Sequence, residues 1–246
     1  KNSKLLLIPG HSEYWSLKAR KNFDKFTENG KNTLIMSGNT MWWQVRYNDD
    51  YSKLICFKNS SIDPIKDDYL KSVNWSDSIL NYPIINSIGL DFNYGGMGTL
   101  EDFGWDGYKI VNSSSPLLAN CNLKSNDTLS LKSTEYDGTP LIFSNDSTQV
   151  SLKLQNLFFR YELIAYDFAS RYEDRSRNGS WIVMQKNKNF GVIVNTGSTD
   201  WCRIEGMKGE DSNIIKLITL NTIELLLQED KNKIFTPKPK NNPMRR

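Results

Sequence analysis

Apolar residues along the first forty positions change their spacing twice. Lys4 to Ile8, "KLLLI", is an unbroken apolar run, which predicts a short strand buried on both faces of a parallel sheet. Pro9-Gly10 breaks it. From Leu17 the spacing turns helical. In "LKARKNFDKFTEN" Leu17, Ala19, Phe23 and Phe26 form an approximate stripe, Ser16 stands where an N-cap belongs, and Asn29-Gly30 supplies the stop. "TLIMSG" is then a second apolar strand ending on glycine. Strand, helix and strand between Lys4 and Gly38 predict a βαβ unit with a right-handed crossover.

Residues 47–130 carry a weaker pattern. "YNDDYSKLICFKNSSIDP" reads as an excursion, and "NYGGMGTLEDFGWDGY" as a loop rich in glycine and aromatics. Its glycines suit tight turns; no strand-to-helix context and no G-K-S/T follow that would make a phosphate loop. From Leu131 the pattern favours strands, with "MQKNKNFG" between two Val/Ile/Trp-rich runs predicting a hairpin. "DSNIIKLITLNTIELLLQED" predicts an amphipathic helix capped by Asp211 or Ser212, burying Ile215, Ile218, Leu225 and Leu226. The resulting fold class is α/β, as one domain over 1–230 and a basic, disordered tail over 231–246.

Charge and composition narrow the function. The net +3 misleads, because the final sixteen residues hold six Lys or Arg and no acid, which leaves the body at −3. That balance gives no reason to expect a nucleic-acid partner. No apolar run approaches the ~18 residues of a membrane span and no signal peptide is present, which predicts a soluble chain without fixing its compartment. Cys56, Cys121 and Cys202 form no C-x-x-C pair, so a structural zinc site or redox dithiol is not expected. None sits on a strand-to-helix elbow, and no G-x-S-x-G occurs, which argues against cysteine and serine nucleophiles.

The chemistry that remains gathers at two strand ends. His11, the only histidine, and Glu13 follow the first strand; Gly38 and Asn39 follow the second. Ligands in parallel α/β sheets sit beyond the carboxyl ends of the strands. There an imidazole can move protons near neutrality, a carboxylate can hold a metal or act as a base, and an amide can orient a substrate. The plainer alternative is a histidine bonded to a loop carbonyl and a glutamate favoured by the helix dipole.

"PGHSEYWS" followed by "LIMSGNTMWWQVRY" resembles the C-terminal domain of the N,N-dimethylformamidase large (β) subunit and its relatives. "STEYDG" (133–138) and "NTGSTDWCR" (195–203) are similar to later signatures of that domain, in the same order. The resemblance spans roughly residues 4–226. It implies a flavodoxin-like, class I glutamine-amidotransferase-like three-layer core with β-rich additions. The activity it implies is hydrolysis of a small amide, a formamide-type C–N bond, at a mononuclear Fe3+, with a small partner subunit and a homo-oligomer as expected partners. Residue by residue, it makes Glu13 a metal ligand and places His11, Asn39 and Glu135 in the catalytic pocket. The family's two ligand tyrosines lie upstream of the H-x-E motif, in sequence this chain does not contain. The chain is therefore expected to be N-terminally incomplete, and iron is expected only where that upstream part is present. Two other functions compete: a non-catalytic scaffold of the same fold, and a carbohydrate-acting protein using the aromatic loop at 92–108.

Overall fold

The computed structural model describes residues 3–97, 107–144, 147–168 and 177–237. The glycine- and aromatic-rich loop therefore falls in part, at 98–106, outside the described residues, as do 238–246 of the basic tail.

The predicted βαβ unit forms. Strand Leu5–His11 pairs in parallel with Asn32–Gly38, and helix Leu17–Glu28 crosses between them. Ser16 caps that helix, its hydroxyl accepting the Ala19 N–H at 3.2 Å. The first strand does not stop at Pro9-Gly10 but runs on to His11. It is the edge of the sheet rather than a strand buried on both faces, with Leu7 44% exposed. Proline suits an edge, where a missing ladder donor costs nothing. The strand buried throughout is its neighbour Asn32–Gly38.

The seven-stranded sheet runs in the order Leu5–His11, Asn32–Gly38, Val192–Asn195, Asn178–Gln185, Arg160–Phe168, Tyr108–Ile110, Thr128–Leu129. Its first three strands are parallel and every later pair is antiparallel. The expected flavodoxin-like, glutamine-amidotransferase-like core is therefore wrong. Such a core needs a crossover helix for each parallel step, whereas this chain returns by hairpins after the first unit. The protein is β-rich and mixed, with further small sheets that include Tyr14–Ser16 beside Trp43–Tyr47 and Asp91–Met97 beside Glu135–Gly138.

Alternation along the strands sends neighbours to opposite faces, which splits the core in two. Leu34, Met36, Trp181, Val183, Val192 and Val194 face Trp201 and the helix Ser212–Leu227. Ile35, Ile182, Met184 and Ile193 face Phe23, Trp75, Ile84 and Leu90. The last helix forms as expected, burying Ile215, Ile218 and Leu226, with Thr222 in the stripe and Leu225 only partly covered. Asp211 stands at its N-cap without a capping bond; its carboxylate instead accepts the Ser130 N–H at 2.6 Å. The segment after 230 also packs: Ile234 and Phe235 are buried, and Thr236 donates to Glu162. Residues 231–237 therefore belong to the body rather than to a loose tail. Among the described residues, no helix is long and apolar enough to cross a membrane.

Candidate functional site

Parallel register sets His11 beside Gly38 at the ends of the first two sheet strands. The turns that follow are tied together: Met41 N–H donates to Ser12 O at 2.8 Å, and Trp43 N–H to Glu13 O at 2.9 Å. Asn39 opens the second turn in the left-handed region (φ 50°), a conformation asparagine tolerates better than most residues.

The third component comes from Glu135–Gly138, far along the chain. His11 Nε2 lies 2.9 Å from Glu135 Oε2. The imidazole side chain is 44% exposed and the carboxylate 20%, so the pair is reachable from solvent. Gly38 makes this approach possible. A Cβ there would stand 2.5 Å from Glu135 O and 2.8 Å from Thr199 N.

Two buried aspartates hold the pieces from behind. Asp137, on the same strand as Glu135, accepts the Thr40 N–H at 3.1 Å and so supports the turn that carries Asn39. It is fully buried, and burial pushes its carboxyl up to about 8, with Asp91 adding to the rise and the Thr40 amide opposing it. Its Oδ1, like the buried Oδ1 of Asn39, has no hydrogen-bond partner among the described residues. Asp200, also buried, grips the segment before Glu135. Its Oδ2 accepts Thr134 N–H at 2.6 Å and the hydroxyls of Thr199, Thr134 and Ser133 at 2.7, 2.8 and 3.0 Å. Burial would raise this carboxyl; those donors hold it below its ordinary value.

A family model described as N,N-dimethylformamidase beta subunit-like, C-terminal, matches residues 1–209. The chain belongs to this family. A search of curated proteins finds no match to it.

Within this dimethylformamidase β-subunit-like domain, His11 and Glu135 are in contact, and Asn39 stands one residue past the register partner of His11. Glu13 joins the rim through its carbonyl, which accepts the Trp43 N–H, and its charge acts on Lys58 and Cys56. The Lys58 ammonium donates to Tyr14 Oη at 3.0 Å and lies 4.9 Å from the Trp43 ring centre.

Iron as a hard Fe3+ ion needs several oxygen donors in fixed geometry. Here Glu13 offers one carboxylate and the Tyr14 hydroxyl is engaged by Lys58. Among the described residues no three His, Cys, Asp or Glu side chains converge. The donors among the described residues do not compose an iron site.

Asp137, Thr199 and Asp200 are absent from the sequence-level candidates. Their signal lies within the same motifs: "STEYDG" places Asp137 two residues past Glu135, on its strand, and "STD" pairs the two bracing residues.

Proposed function

We propose that this chain carries the acid–base couple of an enzyme that hydrolyses a small, formamide-type amide. The observation that carries the reading is the 2.9 Å contact between His11 Nε2 and Glu135 Oε2, made across 124 residues at a strand-end rim. The domain's membership of a dimethylformamidase-like family supports hydrolysis of an amide as the reaction class.

With Nε2–H donated to the carboxylate, the lone pair of the His11 ring is on Nδ1, the usual division of labour in a carboxylate–imidazole pair. Nδ1 takes a proton from water as its oxygen bonds to the amide carbon. The same proton then passes to the departing nitrogen as the C–N bond breaks, leaving a carboxylic acid and an amine. The Glu135 carboxylate stabilises the transient imidazolium. The Asn39 side-chain amide is suited to donate to the substrate oxygen, where negative charge collects. Were a metal bound at this rim, Glu13 would supply it one carboxylate. As a β-subunit-like domain the chain belongs in a multi-subunit assembly, with a small partner subunit as the expected companion.

The test is amine release from formamide-type amides by the protein with its natural partner chains. His11→Ala and Glu135→Gln should each lower kcat by roughly 10²-fold, the ordinary worth of a positioned acid or base. Wild-type turnover in His11→Ala, or no hydrolysis of any such amide by the assembled protein, would sink the reading.

A further inference from the structure

We propose that Asp200, acting through the Thr199 hydroxyl, is the positioning device that aims the Glu135 carboxylate at His11. The inference rests on reading His11 and Glu135 as the working couple.

The proton count on Thr199 is the starting point. Its hydroxyl has one hydrogen, and the shortest acceptor within reach is Asp200 Oδ2, at 2.7 Å. With that hydrogen committed, the Oγ1 lone pairs are free to accept the Glu135 N–H, which lies at 3.2 Å. The Thr199 N–H closes the ring by donating to Glu135 O, also at 3.2 Å. Glu135 is thus held at both backbone polar groups by one residue, whose hydroxyl is oriented by a buried anion.

The same anion fixes the two residues ahead of Glu135. Thr134 gives it both its N–H and its hydroxyl, and the Ser133 hydroxyl, which accepts from Ser198 at 2.8 Å, lies within reach of both Asp200 Oδ2 at 3.0 Å and Glu135 O at 2.9 Å. Arg203 is the cation beside Asp200, 3.4 Å away and 60% exposed, so the aspartate's charge is met mainly by these short donors. These donors converge on one buried carboxylate oxygen. Their common effect is to fix the backbone from which Glu135 projects, with Gly38 packed against its carbonyl. Misplacing a catalytic group by about 1 Å can cost on the order of 10²-fold in rate, so a clamp of this kind has a kinetic purpose.

Two readouts separate positioning from mere stability. His11 is the only histidine, so 15N-histidine labelling of this chain reports the imidazole alone. The intact chain should show an exchange-protected Nε2–H signal, lost in Thr199→Val and kept in Thr199→Ser, which retains the hydroxyl. In the assembled enzyme Thr199→Val should lower kcat about 10-fold or more with KM unchanged. Thr199→Ser should recover most of that loss. Thr199→Val placed in a Glu135→Gln background should cost nothing further, because the clamp acts only through that carboxylate. Asp200→Asn repeats the test if the valine variant does not fold, weakening the same bonds while conserving volume.

A wild-type His11 signal in Thr199→Val or Asp200→Asn, an equal loss in Thr199→Ser, or additive losses in the double variant would each overturn the proposal. Should the wild-type assembly hydrolyse no amide, the amidase reading falls by itself. The imidazole signal then still decides whether Asp200 sets the His11–Glu135 contact.

Discussion

Asp137 shows how much the site asks of a single residue. A carboxyl with no exposure and, among the described residues, no cation in a salt bridge with it is costly to ionise, and burial carries it up to about 8. At neutral pH it is mostly the neutral acid, able to accept the Thr40 N–H without placing a charge behind Asn39. The consequence for stability has a definite sign. Because the folded carboxyl titrates above its ordinary value of 3.8, the native state keeps a proton that the unfolded chain releases. That contribution is complete below 3.8, drains as pH rises, and is exhausted above 8. Asp137→Asn imitates the neutral acid and removes the dependence. Between pH ~5 and ~7 the unfolding free energy of the wild type should fall, relative to this variant, by about 1.4 kcal/mol per pH unit. Denaturation series that run parallel for the two proteins across that range would show that Asp137 is ionised in the fold.

At the scale of elements, the sequence was most legible where periodicity and punctuation agree. Ser16, the helix behind it, the strand ending at Gly38 and the final helix all follow from spacing, caps and glycine stops. That His11 and Asn39 stand side by side at strand ends was legible because strand ends are few. What spacing could not show is which distant strand completes the sheet or the site. Hairpins and crossovers use similar apolar runs, so a mixed sheet passed for a parallel one. Helix Leu17–Glu28 hides a second lesson. Its deepest residue is Arg20, with no exposed surface, lying between the rings of Trp75 (4.7 Å) and Tyr82 (3.9 Å). Its Nη atoms donate to Tyr82 O at 2.6 Å and Pro83 O at 2.8 Å, pinning the 82–88 segment to the helix. An arginine in an apolar stripe looks like its exposed side, and only tertiary partners reveal otherwise. Lysine lacks the planar fork that stacks and donates twice. Arg20→Lys should therefore cost at least about 2 kcal/mol of stability in a denaturant melt, since buried carbonyls lose their donors. A cost within ~0.5 kcal/mol would mean the guanidinium merely fills space.

For the molecule as a whole, the sheet is closed unequally. On one flank Asn32–Gly38 is paired on both sides, while Leu5–His11 has a partner on one side only among the described residues. This edge carries Leu7 at 44% exposure and runs directly to His11, so a strand paired with it would stand next to the strand-end rim. Pro9 blunts the edge by removing one donor, yet three consecutive leucines precede it. An open apolar edge templates the pairing of another strand, either from elsewhere in the assembly or from a second copy. Taken alone, residues 1–246 should self-associate through it. Leu7→Lys puts a charge on the open edge without changing the parallel register with Leu34, since that register is a backbone matter. Static light scattering across a concentration series should show a mass that grows with concentration for the wild type and stays near the 28.4 kDa of one chain for the variant. The same variant should leave the single His11–Glu135 contact in place, read by the imidazole signal, because the edge and the couple meet only at the end of the strand. If both proteins associate equally, the edge is not the sticking surface. The exposed apolar residues around Ile142, Leu152 and Phe159 would then be the next surface to charge.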